Sequence, residues 1–392
     1  MTKFPDRSLF YKEIKEQPKA LANTLAQYLA PNYQLKMTKP PLDDLTLKKI
    51  RTAYITACGT SYHAAMTARY IIEELARIPT VVEPASECGR HHLLVDDATL
   101  AVAISQSGRS KDTLAALKLA GSRGAATLAL VNESSSPLTM AASGSLMTLA
   151  GKVQTLSSTK AFTSQTMVLS LMGLRLAQSR GLMRENWRDE VDNIGRLPEL
   201  VRHTLSFEDR VTAVAERLSG YDHAFILASG PLLPMAFEGA LKLKEVAKIH
   251  AEGYITGEFG HGPLALVGPG TPIILISFAD DDGCRSLDLA AEFRARGAPL
   301  FLISEDGPNR DRTLADQAEF FLPLPQVTPR LRPVVAVIHL QLLAYHLGRL
   351  KGLDVDNTGG LIHSTMAAAT ANSAAVDSGL PAFYSTFDRF ID

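Results

Sequence analysis

The sequence predicts an α/β protein of two tandem, doubly wound parallel sheets preceded by a short helical lead. Two observations carry that prediction. Short apolar strand patterns alternate with helix patterns, which is how a parallel sheet covered on both faces reads. The alternation then occurs a second time in the same order. AYITACG begins at Ala53 and AFILASG at Ala224, 171 positions apart; LAVAIS ends at Ser105 and IILIS at Ser277, 172 apart; GAATLALVN begins at Gly124 and GAPLFLIS at Gly297, 173 apart. An offset that stays nearly constant over three strand–turn units indicates a duplicated domain rather than chance likeness among buried strands. The 392 residues, 46% hydrophobic and 21% charged, supply core enough for two domains.

Residues 1–45 read as the helical lead: Pro18 starts KALANTLAQYL, and Pro31, Pro40 and Pro41 break the stretch after it. No catalytic pattern is visible there. Residues 46–190 form the first domain. AYITA is its first strand, CGTS a turn and YHAAMTARYIIEELA a helix; strands follow near TVVEP, LAVAI and ATLALV, with KDTLAALKLAGSRG as an intervening helix. MRENWRDEVDNIGRLPELVRHTL reads as a polar helical connector, and residues 191–352 hold the rest of it and the second domain. That domain closes with the apolar helix VVAVIHLQLLAYHLGRLKG, with Pro333 near its start. Residues 353–392 are a C-terminal tail.

Composition excludes several classes. Lys plus Arg number 40 against 41 Asp plus Glu, a net charge of -1, so no global field recruits nucleic acid or an anionic membrane. Three cysteines, Cys58, Cys88 and Cys284, are odd in number and lack metal spacing, which supports neither a disulfide framework nor a zinc site and fits a reducing cytoplasm. Cys58 reads as a small buried hydrophobe rather than a nucleophile. The N-terminus has no apolar signal region, and no run reaches the roughly 18 apolar residues of a membrane span. Neither a dinucleotide fingerprint nor a nucleoside-triphosphate loop follows a strand, so no cofactor is expected.

The densest chemistry lies in EGALKLKEVAKIHAEGYITGEFGH, Glu238 to His261. Glu238, Lys242 and Glu245 are four and three residues apart and share one helix face. Phe237, Ala240, Leu241, Leu243, Val246 and Ile249 spread over several faces, as in a buried helix. Charges in such a place must pair or do chemistry. Taken alone, the spacing also fits a partly exposed helix with weak salt pairs. The sequel, His250, Glu252, Glu258 and His261 in a glycine-rich loop, brings an acid, a base and an imidazole within reach of one another.

Ligands of open parallel sheets settle beyond the carboxyl ends of the strands. The first copy has three hydroxyl-rich turns there: Gly59-Thr60-Ser61, Ser105 to Ser110 (SQSGRS), and Ser157-Ser158-Thr159-Lys160. Hydroxyls and backbone N–H groups together hold a phosphate. One such turn alone fits an ordinary N-cap; three point to phosphate. The second copy has SGPL and SFAD instead, so phosphate is assigned to the first copy and acid/base chemistry to the second.

ACGTSYHAAMTARY, SQSGRSKDTLAALKLA, SSTKAFTSQ, EGALKLKEVAKIHAE, GEFGHGPLAL and LQLLAYHLGRLKGLDVD together resemble the isomerase half of the glutamine-fructose-6-phosphate aminotransferases, the glucosamine-6-phosphate synthases, from Glu13 through Asp356. The resemblance implies tandem SIS (sugar isomerase) domains of flavodoxin-like form, without the glutaminase domain, since no catalytic cysteine follows Met1. It implies that Ser105, Gln106, Ser107 and Ser110 hold the 6-phosphate, with Ser110 in place of threonine and Arg109 in place of glutamate, and that Thr60, with Ser61 beside it, and Ser158 contact the sugar. It further implies that Glu245 moves the proton between C1 and C2, that Lys242 and Glu238 support it, and that His261 opens the pyranose ring from the neighbouring subunit of a homodimer with shared active sites. After Asp354-Val355-Asp356 the likeness stops. His363 stands where that family's imine-forming lysine would fall, and a neutral histidine makes no imine.

These expectations describe proton transfer next to a carbonyl, with Lys242 steadying the developing oxyanion. They favour a glucosamine-6-phosphate deaminase/isomerase acting without glutamine. The alternatives are a fructosamine-6-phosphate deglycase and a non-catalytic sugar-phosphate sensor; Glu245 and His261 together, and the lack of a helix-turn-helix or basic arm, speak against the sensor.

Overall fold

The computed structural model describes residues 8–358 apart from 38, 40–41, 92, 183–184, 280–282 and 308–310. Two five-stranded sheets run through it. In the first, β1 (Thr52–Ala57), β2 (Thr80–Pro84), β3 (Thr99–Ser105), β4 (Ala126–Val131) and β5 (Gly144–Met147) lie in the order β2-β1-β3-β4-β5, every pair parallel. In the second, β6 (His223–Ala228), β7 (His250–Ile255), β8 (Ile273–Ile276), β9 (Leu300–Glu305) and β10 (Phe320–Leu324) lie in the order β10-β9-β8-β6-β7, again parallel. Read from the other edge, the second order follows the same path as the first, so the repeat seen in the sequence is a repeat of topology.

The central strands are apolar because helices cover both faces: β3 is buried along its whole length and so is β8. The helices Thr60–Ala76 and Lys160–Ser179 pack on each other beside the first sheet, and Leu233–Ala247 and Arg332–Leu350 do so beside the second. Leu233–Ala247 also touches Thr60–Ala76. One hydrophobic core therefore spans both halves, joining Ile55, Phe162 and Leu171 to Ile226, Leu243 and Leu340. The stretch Pro329–Leu350 is long and apolar enough to cross a membrane, but its apolar window is 94% buried inside the protein, which makes it a core element.

Three features depart from the sequence expectations. His250–Ile255 is an edge strand, not a loop, because the preceding helix stops at Ala247, where Lys248 turns left-handed at φ 55°. The connector is two helices, Trp187–Gly195 and Leu197–Leu205, split ahead of Pro198, and it is amphipathic: Val191, Ile194, Leu197, Leu200 and Val201 are buried. The lead, with helices Leu9–Lys15 and Gln17–Tyr28, is built into the core through Phe10, Ile14 and Leu21. Its first helix is capped from the far end of the chain, where Asp356 accepts from Ser8 Oγ at 2.8 Å, Leu9 N at 2.9 Å and Phe10 N at 2.8 Å.

Candidate active site

In the first sheet the chain reverses direction between β1 and β3, and the loops leaving their carboxyl ends line the crevice that results. Gly59, at φ 55°, turns the chain from β1 into the Thr60–Ala76 helix. Ser61 Oγ accepts a hydrogen bond from Gln165 Nε2 at 3.0 Å. After β3 the loop folds on itself: Gly108 N donates to Ser105 Oγ at 3.1 Å and Arg109 N to Ser107 Oγ at 3.4 Å. Gly108 is at φ 64°, and a Cβ there would lie 2.1 Å from Ser136 Oγ, so only glycine makes this turn. Ser110 precedes the Lys111–Ser122 helix without capping it; its Oγ instead accepts from Thr113 Oγ1 at 3.0 Å. The first turn of that twelve-residue helix has no side-chain cap among the described residues. Gln106 and Ser107 are half-buried beside it. Cys58 is exposed, contrary to the sequence reading, because it lies past the sheet's edge; its Sγ is 3.7 Å from the hydroxyls of Ser110 and Thr113.

The Leu233–Ala247 helix delivers the ionisable groups. Glu238 and Lys242 are wholly buried, whereas the Glu245 side chain keeps 14% exposure. Glu238 is held from the first half: Thr60 Oγ1 donates to its Oε1 at 3.1 Å and His63 Nδ1 lies 2.6 Å from its Oε2. Lys242 Nζ is 3.5 Å from Glu238 Oε1, 2.5 Å from Glu245 Oε2 and 3.0 Å from Ser157 Oγ. Ser157 Oγ donates in turn to Glu245 Oε2 at 2.6 Å. Burial on its own would raise the Glu238 carboxyl, but Lys242, His63 and Thr60 outweigh it and hold the group below the ordinary carboxylate range. Burial would likewise lower Lys242, and the two carboxylates keep its ammonium charged, above the ordinary lysine value.

Three acceptors thus surround an ammonium with three N–H donors. That arrangement makes Lys242 an anchor for Glu245 rather than a free cation for a substrate oxyanion. Glu245 Oε1 has no hydrogen-bond partner among the described residues, so one oxygen is pinned and the other is available for a proton.

The structure joins Thr60, Glu238, Lys242 and Glu245 directly, and sets Ser61, Ser105, Gln106, Ser107 and Ser110 on the crevice loops. Ser158 is half-buried with no side-chain hydrogen bond among the described residues; its neighbour Ser157 reaches the carboxylate instead. His261, at the end of the turn Thr256–His261, is exposed and has no polar partner among the described residues, while Thr256 and Phe259 of the same turn are buried. His250 and Glu252 pair with each other at 3.2 Å on the exposed edge strand, and Glu258 is exposed, so these three do not converge on the carboxylate. His363 lies outside the described residues. Sequence reasoning took Ser157 only as part of a phosphate-holding turn, and it missed His63, although His63 follows Thr60 by three positions on one helix and so shares its face. Among the described residues no three His, Cys, Asp or Glu are grouped to hold a metal ion.

Comparison with known proteins gives the family. The SIS domain pattern matches residues 46–175 and 217–348. Over 360 residues the chain is 38% identical to the glutamine–fructose-6-phosphate aminotransferase (isomerizing) of Zymomonas mobilis, covering 91% of this chain and 58% of that protein. It is 37% identical over 365 residues to the same-named protein of Corynebacterium glutamicum, again spanning 58% of it. Among solved structures, the C-terminal domain of glucosamine-fructose-6-phosphate aminotransferase from Francisella tularensis superposes with a TM-score of 0.83 at 35% identity, covering 91% of this chain and 99% of that one. A glucosamine-6-phosphate deaminase from Thermotoga maritima shares the fold, with a TM-score of 0.68 at 24% identity over 90% of this chain and 98% of that one. The duplicated sheets, the matched segments and these likenesses lead to one conclusion: the chain belongs to the SIS-domain family, as two such domains in tandem.

Proposed function

We propose that the chain is a phosphosugar aldose–ketose isomerase acting on amino sugars, and that its reaction is deamination of glucosamine 6-phosphate to fructose 6-phosphate and ammonia. The observation that carries this reading is Glu245: a carboxylate with one oxygen pinned by Lys242 and Ser157 and the other without a partner among the described residues, carried on a helix that touches the one beginning at Thr60. The 6-phosphate is the handle, taken by the Ser105–Ser110 loop and the start of the Lys111–Ser122 helix, and it positions the reacting carbons. After ring opening, Glu245 removes the C2 proton of the aldosamine and returns it to C1 through an enolamine. The resulting ketimine takes up water and releases ammonia, so one water is consumed per ammonia formed. His261, exposed on its own chain, fits a role in a neighbouring subunit's site, which makes the working form a homodimer. A net charge of -1 and an odd number of cysteines fit work in a reducing cytoplasm.

Purified protein given glucosamine 6-phosphate is expected to release fructose 6-phosphate and ammonia, with turnover abolished in Glu245→Gln. Turnover equal in both proteins rejects the reading. Faster release of lysine from fructoselysine 6-phosphate would replace deaminase with deglycase, and tight binding without C2 proton exchange in deuterated water would replace both with a sensor.

A further inference from the structure

The hydroxyl of Ser157 is 1% exposed and sits between the ammonium and the acid/base carboxylate of the other half: Lys242 Nζ donates to it at 3.0 Å, and it donates to Glu245 Oε2 at 2.6 Å. Its loop, residues 152–159, has no regular structure of its own. The loop is fastened by the N-terminal lead, a segment in which no catalytic pattern is legible. Glu13, 3% exposed, accepts from Gln154 N at 2.6 Å with one oxygen and from Thr155 Oγ1 at 2.8 Å with the other. Thr155 Oγ1 is also 3.1 Å from the carbonyl of Ser157. At the loop's end Lys160 Nζ is shared between Glu16 Oε2 and the carbonyl of Lys152, both at 2.7 Å. A carboxylate buried this deeply is retained only where donors satisfy it, and both of its donors lie on the Ser157 loop.

We infer that Ser157 is a positioning residue for Glu245, and that Glu13 of the lead sets Ser157 at the depth where it works. The inference rests on the reading of Glu245 as the acid/base. Ser157 and Lys242 together occupy Oε2, which fixes the carboxylate plane and leaves Oε1 as the oxygen that exchanges protons with substrate. Glu13 acts one step further out, through the Gln154 amide and the Thr155 hydroxyl.

The test compares Ser157→Ala, Glu13→Gln and Glu245→Gln with the parent protein. Steady-state turnover of glucosamine 6-phosphate gives kcat and KM separately, and exchange of its C2 proton in deuterated water gives the proton-transfer step itself. Without the Ser157 hydroxyl the carboxylate loses one of the two groups that hold it, so exchange of the C2 proton in Ser157→Ala is expected to slow roughly tenfold. kcat is expected to fall roughly tenfold with KM little changed, because the phosphate loop is untouched. Glu13→Gln places an amide against one of two donors and should shift both readouts the same way by less.

A structural filler would lower thermal stability and leave both rates where they were, and that result in Ser157→Ala, with Glu245→Gln inactive, overturns the inference alone. Full turnover in Glu245→Gln overturns the underlying reading and the inference with it. If no offered sugar is turned over, C2 proton exchange still decides: slowed exchange in Ser157→Ala sustains the positioning role and exchange at the parent rate ends it.

Discussion

His63 Nδ1 lies 2.6 Å from Glu238 Oε2, although the two residues are 175 positions apart and belong to helices of different halves. Thr60 supports the same carboxylate from the same helix, at 3.1 Å. The buried charges are therefore shared between the two SIS domains rather than closed within one helix.

Removing the ammonium from this group is expected to be far worse than removing one carboxylate. Lys242→Met leaves two buried or half-buried carboxylates facing each other and should cost about 3–5 kcal/mol. Glu238→Gln leaves Lys242 paired with Glu245 and should cost about 1–3 kcal/mol. Urea unfolding of the singles and the double variant checks both, with the double expected to cost less than the sum because the sites share partners.

Gly108→Ala is expected to break the phosphate loop locally. The left-handed turn and the 2.1 Å approach to Ser136 Oγ both oppose a side chain. Affinity for a hexose 6-phosphate should fall by tenfold or more, while overall stability falls by about 1–3 kcal/mol. Calorimetric titration with the sugar phosphate beside thermal melts separates the two effects.

Acid sensitivity should begin near pH 6.5 and trace to His339. This side chain is fully buried, and burial pushes its pKa down to about 4, with the repulsion of Arg210 adding to that and its bond to the Pro323 carbonyl opposing it. Above about 6.5 both folded and unfolded states hold it neutral and stability is at its full value. As pH falls below that, the unfolded chain binds a proton that the folded chain refuses, so stability declines until the folded pKa near 4 is passed. Between pH 6.5 and 5 the loss attributable to this residue is about 2 kcal/mol, and urea midpoints of His339→Gln should be correspondingly flat over that interval.

Complementation between inactive chains tests the assignment of His261 to a partner's site. Glu245→Gln and His261→Asn are each expected to be inactive as homodimers. Equal mixing through unfolding and refolding should restore about one quarter of the parent activity, since half the dimers are mixed and each carries one intact site. No recovery, with mixed dimers demonstrated by differential tagging, would place both residues in one chain's site.

Much of the fold was legible because central parallel strands buried on both faces must be apolar, and β1, β3, β4, β6, β8 and β9 stand out for that reason. The edge strands β5, β7 and β10 were not, since GSLM is short and HAEGYI carries polar residues on an exposed border. At the site, the four-and-three spacing of Glu238, Lys242 and Glu245 was readable because helix geometry fixes which positions share a face. The contacts of Ser157, read only as part of a hydroxyl-rich turn, and those of His63 and Glu13 were not: their partners lie 88, 175 and 141 positions away, a relation that only the packed core creates. Lys242 was expected to face substrate, and the three acceptors around it show why a buried ammonium turns inward instead.

The clasp between Asp356 and the amides of Leu9 and Phe10 fastens the lead, and the lead in turn fastens the loop that touches the Glu245 carboxylate. Damage at residue 356, remote from any sugar, would thus travel by way of Glu13 and Thr155 and surface in a kinetic assay as though the reacting groups themselves had been disturbed.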